Sequence, residues 1–361
     1  ALPGVSATMS IVLCISFTYS MDPVVAIAFL ASVYCASITG GSITAILFKI
    51  PGTPSSAPTT LDGFPMVQRG EAGKALTLAL LASGFGGLFS ALVMYLLTQP
   101  LMQVALKFNS AEQFAVCALG IGILAFVDSD RPLNTFVSAL IGIWIATIGL
   151  DRLTTVPRFT FGSVKFLDGI ESLPFMIGMF AVVEILSNIR KPTDTKAMAD
   201  DKSAGKFKVT GAGAFWKTKW TALRSAILGT IVGIVPGAGA TIASFMSYSV
   251  ESKMNKSPET MGKGNPHGVV ASEAANNAAT GGAMVPLLSM GIPGSNAAAM
   301  MLTALSIHGV QMGPLLLRNQ PEYLSATFMA MIFANIIMIF VSIFIAKIFA
   351  KAVNCEHPND G

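Results

Sequence analysis

The chain has 361 residues, 53% of them hydrophobic and 12% charged, with a net charge of +4 and a mean hydropathy of +0.66. Average soluble proteins carry about 25% charged residues, so this composition excludes a water-soluble fold and predicts an all-α polytopic membrane protein. The small basic excess reads as a topology signal, and nothing in it supports nucleic-acid binding.

The chain opens inside a Gly/Pro motif, Leu2-Pro3-Gly4-Val5-Ser6-Ala7-Thr8, with no visible signal peptide, so a preceding segment is expected. Next comes Thr39-Gly40-Gly41-Ser42, then Ile50-Pro51-Gly52-Thr53. Proline removes a backbone donor and disfavours helix at the residue before it. Glycine permits left-handed backbone. The pattern predicts a short helix, a Gly-Gly turn, a short apolar piece and an Ile-Pro-Gly break. Asp62 follows in Leu61-Asp62-Gly63-Phe64-Pro65, where Asp-Gly ordinarily marks a turn. Ala75–Leu97 has no charged residue and is long enough to span a bilayer, which takes roughly 20 residues.

Further apolar runs occupy Phe114–Val127, Leu133–Leu150, Leu173–Ile189 and Ser225–Val235. Between them lies a mixed polar loop with Asp151, Arg152, Arg158, Lys165 and Asp168; a solvated loop is its default reading and a docking surface the alternative. Glu184 is expected at an interface. The basic stretch Arg190–Arg224 is expected in the cytoplasm by the positive-inside rule.

From Val235 the opening phrases return. Val235-Pro236-Gly237-Ala238-Gly239-Ala240-Thr241, Thr280-Gly281-Gly282-Ala283 and Ile292-Pro293-Gly294-Ser295 repeat the first set at offsets of 233, 241 and 242. The polar loop Glu251–Gly264 absorbs the difference. A duplicated unit with Gly and Pro inside apolar sequence predicts two structural repeats, of inverted topology, whose broken helices or re-entrant hairpins sit at the Gly-Gly and Ile-Pro-Gly motifs. Repeat one covers 1–107, connecting helices and the basic loop cover 108–224, and repeat two covers 225–361. The last long span is Ser325–Ala346, and a polar tail, Asn354–Gly361, ends the chain.

Interrupted helices leave amide and carbonyl groups without helical partners, each costing several kcal/mol in apolar surroundings unless satisfied. A bound anion and a bound cation are natural partners for the two kinds of group. The expected substrate ligands are Gly40, Gly41, Ser42, Pro51, Gly52, Thr53 and Ser55 in the first copy. In the second they are Asn276, Asn277, Gly281, Gly282, Pro293, Gly294, Ser295 and Asn296. Glu273, Asn276, Asn277 and Thr280 share one helical face, and a carboxylate retained there suggests a cation ligand or proton carrier. Thr39, Asp62, Glu273, Thr280, Pro236 and Gly237 are the candidates for coupling to sodium or protons. Lys49 either meets a carboxylate or snorkels to the interface. No metal or organic cofactor is expected. Cys14, Cys35, Cys117 and Cys355 are isolated, and His267, His308 and His357 lack helical ligand spacing.

Together, Gly40-Gly41-Ser42-Ile43-Thr44-Ala45-Ile46-Leu47, Ile50-Pro51-Gly52-Thr53-Pro54, Gly70-Glu71-Ala72-Gly73-Lys74, Arg158-Phe159-Thr160-Phe161-Gly162, Gly178-Met179-Phe180-Ala181, Glu273-Ala274-Ala275-Asn276-Asn277 and Gly291-Ile292-Pro293-Gly294-Ser295 resemble the large membrane subunit of bacterial tripartite tricarboxylate transporters. The resemblance runs from the first residue to about 320. It implies a secondary active transporter of the bacterial cytoplasmic membrane that imports citrate-like di- or tricarboxylates with a sodium or proton gradient. It also implies a small membrane subunit and an extracytoplasmic solute-binding protein as partners. Family members are usually longer, so the chain is expected to be a fragment or an inactive shortened relative. A passive channel or inactive scaffold is the alternative function. An intramembrane serine protease, with Ser42 or Ser295 and His308, is the remote one.

Overall fold

The computed structural model describes residues 5–107, 132–151, 156–170, 177–183 and 212–355, with isolated positions between 111 and 118 and between 174 and 186. The expectations for Leu2-Pro3-Gly4, Cys117, Arg152, Glu184 and His357 lie outside these residues, as do those for much of Phe114–Val127 and Leu173–Ile189 and for positions 190–211 of the basic loop.

The helices in chain order are α1 (Ala7–Thr18), α2 (Pro23–Phe48), α3 (Ala57–Gln68), α4 (Ala72–Ala105), α5 (Pro132–Ala146), α6 (Ala212–Lys217), α7 (Lys219–Ile234), α8 (Gly239–Met254), α9 (Pro266–Met290), α10 (Asn296–Ile307), α11 (Leu316–Asn319) and α12 (Pro321–Cys355). Pro23–Phe48, Ala72–Ala105 and Pro321–Ala346 are long and apolar enough to cross a bilayer. The chain forms two compact units, one of Ala1–Leu106 with Leu186–Gly361 and one of Lys107–Ile185. In the second unit α5 leads into a short antiparallel pair, β1 (Gly149–Leu150) with β2 (Pro157–Arg158). Arg158 is ion-paired there with Asp151. The expected division at 224/225 falls inside α7.

In the first unit, α9 is wrapped by α4, α7 and α8, and α2 lies against α12 and α1. Almost every residue of α9 from Gly268 to Ser289 is buried, so its polar stripe faces protein. Close approach is set by missing side chains. A Cβ at Gly229 or Gly233 of α7 would fall 2.3 or 2.6 Å from the carbonyl oxygens of Ala275 and Ala279, and one at Gly86 of α4 2.1 Å from that of Ala274. Small residues one turn apart on facing helices let backbones touch, which is how membrane helices gain dispersion contact without a hydrophobic drive.

The Gly-Gly motifs are corrected by this geometry. Gly40-Gly41 and Gly281-Gly282 make no turn; α2 and α9 run straight through them. Gly41, Gly281 and Gly282 serve contact. A Cβ at Gly281 would meet Ser90 of α4 at 2.5 Å, and one at Gly282 the Thr230 carbonyl of α7 at 2.4 Å. The interruptions lie at Ile-Pro-Gly. α2 ends on Lys49 and α9 on Gly291, both left-handed, with φ of 57° and 71°. The Ile50 N–H then reaches back to the Thr44 carbonyl, and the Ile292 N–H to the Pro286 carbonyl.

Candidate substrate and cation site

Each break folds back on the helix it leaves. The Gly52 N–H donates to the Gly41 carbonyl at 3.2 Å. A Cβ at Gly41 would lie 2.7 Å from Thr53 Oγ1, and one at Gly52 2.7 Å from Gly41 Cα. In the second copy a Cβ at Gly294 would lie 2.7 Å from Ala283 Cα. Hydroxyls then collect at the first break. Thr53 Oγ1 and Ser55 Oγ are 3.0 Å apart, and Ser56 Oγ donates to the Thr53 carbonyl at 2.8 Å.

The two breaks are neighbours. α2 holds the first through Gly41 and the second through Tyr34, whose hydroxyl is 2.9 Å from Ser295 Oγ. Tyr34 and Gly41 are seven residues apart, about two turns. α8 does the same: Ser244 Oγ donates to the Ser55 carbonyl at 2.7 Å, and a Cβ at Gly239 would lie 3.5 Å from Ser295 Cβ.

α9 touches both breaks. Near its start, Thr59 of α3 donates to Glu273 Oε1 at 2.5 Å, and the same hydroxyl oxygen lies 3.0 Å from Ser272 Oγ. Ser83 of α4 donates to Glu273 Oε2 at 2.9 Å. Further along, Ala283 meets the second break. Asn276 stands one turn after Ser272 and two before Ala283, so it shares their face. Asn276 is fully buried, and neither its Oδ1 nor its Nδ2 has a hydrogen-bond partner among the described residues. Buried polar groups are nearly always paired, and an orphaned one costs about 1–3 kcal/mol. An amide with both ends open offers one donor group and one acceptor to a ligand.

Other expected residues have defined roles. Asn277 Oδ1 accepts from Thr39 Oγ1 at 2.6 Å, and its Nδ2 donates to the Glu273 carbonyl. Thr280 and Ser42 donate to carbonyls of their own helices. Gly40 faces the groove between α2 and α12, away from Gly41's contact. Asn296 and Pro51 are exposed. Ser295 caps α10 by accepting from the Ala298 N–H. Pro236 and Gly237 (φ 77°) form the turn between α7 and α8. Asp62 is buried and braces the fold: Oδ1 accepts from the Gly264 and Asn265 N–H groups at 2.8 and 2.7 Å, and Oδ2 from the Tyr248 hydroxyl at 2.8 Å. Lys49 is exposed, its ammonium 5.7 Å from the centre of the Phe64 ring. His308 lies 3.1 Å from Thr18 Oγ1 and bonds to neither serine of the protease reading. Tyr34, Thr59, Ser83 and Ser244 were not anticipated; only Tyr34, on Gly41's helical face, left a trace in the spacing.

No group of metal-ligating side chains occurs among the described residues. The hydroxyls, amides and lone carboxylate around the breaks can recognise an anion by dipoles and a hard cation by oxygen. Thr53, Ser55, Glu273 and Asn276 are each no more than 4% exposed, so a solute reaches them only if helices move.

The tripartite tricarboxylate transporter TctA family matches residues 1–358. A protein of Agrobacterium vitis, described as an uncharacterized 52.8 kDa protein in the TAR-I ttuC′ 3′ region, is 33% identical over 363 residues, covering 99% of this chain and 70% of its own length. A second from the same organism, in the TAR-II ttuC′ 3′ region, is 33% identical over 129 residues, covering 36% of this chain and 53% of its own. No solved structure matches. The chain belongs to the tripartite tricarboxylate transporter TctA family, as a multi-pass membrane component of a transporter.

Proposed function

We propose that the chain is the permease of a secondary active importer, taking up a di- or tricarboxylate with sodium or protons and receiving it from an extracytoplasmic binding protein. A small membrane subunit completes the complex. The basic loop faces the cytoplasm of the bacterial inner membrane. The observation that carries the reading is Asn276, a buried α9 amide with no hydrogen-bond partner among the described residues, on the helix that touches both Ile-Pro-Gly breaks. The carboxylate substrate binds there, against Thr53, Ser55, Gly294 and Ser295. Glu273, bonded to two hydroxyls and to no base among the described residues, carries the coupling cation.

The two copies act as inverted repeats. α2 packs on α12 of the second copy, and α9 on α4 of the first; α1 meets α10, and α8 meets the turn before α3. This reciprocal exchange is what a two-fold arrangement requires, and it supports alternating access by movement of one set of helices against the other. Proteoliposomes holding the full complex, given labelled di- and tricarboxylates under a sodium or a proton gradient, test the reading. Gradient-dependent counterflow that Asn276→Ala abolishes is expected. Conductive flux without counterflow would refute it.

A further inference from the structure

A cleft of about 640 Å³ lies where α7 and α9 start and α8 ends, with Arg69 at the end of α3 contributing to its wall. Its charged lining is Arg69, Lys217, Arg224 and Lys256 against one acid, Glu251, with His267 beside them. Glu251 is already engaged: Arg224 contacts Oε2 at 2.5 Å, while Thr221 and Asn255 donate to Oε1 at 3.2 and 3.0 Å. Lys217 and Lys256 are exposed and have no acidic partner among the described residues. The cleft therefore holds uncompensated positive charge.

Trp220 is one wall of this cleft and also one wall of a second groove, of about 260 Å³, lined by Phe85, Phe215, Trp216, Ala222, Leu223 and the stem of Lys219. Trp216 and Trp220 are 71% and 67% exposed. Indoles concentrate at the level of lipid headgroups, where a ring can be half apolar and half wet. A basic cleft joined to an apolar groove through one tryptophan matches an amphiphile with an anionic head. Inorganic phosphate would use only the first half, and a hydrocarbon only the second.

We propose that this pair of cavities is a binding site for an anionic phospholipid, its phosphate between Lys217, Lys256 and Arg69 and an acyl chain along Trp220 and Phe85. The site stands apart from the transport reading, yet it touches the same framework. Arg69 donates to the Lys263 carbonyl, beside the Gly264 and Asn265 amides that Asp62 holds at the start of α9. A lipid seated there braces the helix that carries Asn276.

The test is native mass spectrometry of the full chain titrated with phosphatidylglycerol and with phosphatidylcholine, with inorganic phosphate as competitor. Phosphatidylglycerol is expected to bind at least tenfold more tightly than phosphatidylcholine. Each cleft lysine removed should weaken it about fivefold, so Lys217→Gln with Lys256→Gln costs about 25-fold. Lys253→Gln, an exposed charge outside the cleft lining, should leave affinity unchanged. Trp220→Ala should weaken the lipid at least threefold, and millimolar phosphate should fail to displace it. Circular dichroism in lipid-free detergent checks that the surface variants fold. Equal binding of the two lipids, an unaffected double variant, an equal loss from Lys253→Gln, or displacement by phosphate would each overturn the proposal.

Discussion

Replacing Gly52 by alanine puts one methyl where the first break meets α2. That Cβ would sit 2.7 Å from Gly41 Cα, 2.8 Å from Thr44 Oγ1 and 3.1 Å from the Gly41 carbonyl oxygen. The first and last of these are helix backbone, which cannot swing aside as a side-chain tip can. Gly52 is not among the left-handed glycines, so the cost is lack of space and not backbone strain. Overpacking of this kind costs about 1–3 kcal/mol. The relief is for Gly52–Ser56 to lift from α2, which breaks the 3.2 Å Gly52-to-Gly41 hydrogen bond and shifts Thr53 and Ser55. Thermal unfolding in detergent should show the stability loss, and proteoliposome uptake should fall at least tenfold while membrane insertion is kept. Gly213→Ala is the control: nothing lies within 4 Å of its Cβ and its φ is ordinary, so its effect should stay within about 1 kcal/mol. A Gly52→Ala variant with parental stability and uptake would refute the account of the break.

Asn276→Ala should abolish uptake while leaving thermal stability unchanged or higher, because it removes an orphaned amide that costs about 1–3 kcal/mol; parental uptake would remove Asn276 from the site. Glu273→Gln should uncouple uptake from the cation gradient but retain exchange of unlabelled for labelled substrate, and gradient-driven accumulation by this variant would exclude Glu273 as the coupling group. Asp62→Asn should lower stability by about 1.5–3 kcal/mol, since an amide nitrogen would face donors now held by a carboxylate; Tyr248→Phe should cost less, and the melting curves decide. Glu251 stands at the polar end of α8. Burial opposes its ionisation, but hydrogen bonds from His267, Arg224 and Asn255 prevail and hold its carboxyl at about 2. Its folded value is depressed, so its contribution is present above the ordinary carboxylate range and fades as pH falls from about 4.5 to about 2. Glu251→Gln should flatten melting temperature against pH across that window, and an unchanged profile would count against this pairing.

Composition alone determined that the chain belongs in a bilayer as helices, because too little of it is polar to face water. Spacing along the chain placed the duplicated motifs, the Ile-Pro-Gly interruptions and the polar stripe of α9, since proline, left-handed glycine and helical period act locally. The Gly-Gly pairs show where local reading ends. A glycine that allows a turn and a glycine that allows backbone contact are the same residue, and only the arrival of α4, α7 and the returning break decides between them. The same holds for the stripe. Asn276 and Asn277 are chemically identical neighbours, yet Thr39 from α2 satisfies one while the other has no partner among the described residues. Asp62, on sequence a turn residue or ion ligand, became a brace because the residues that bond it lie about 190–200 positions away. Which polar groups are engaged and which remain for a solute is a property of long-range packing, so only the tertiary structure could decide it.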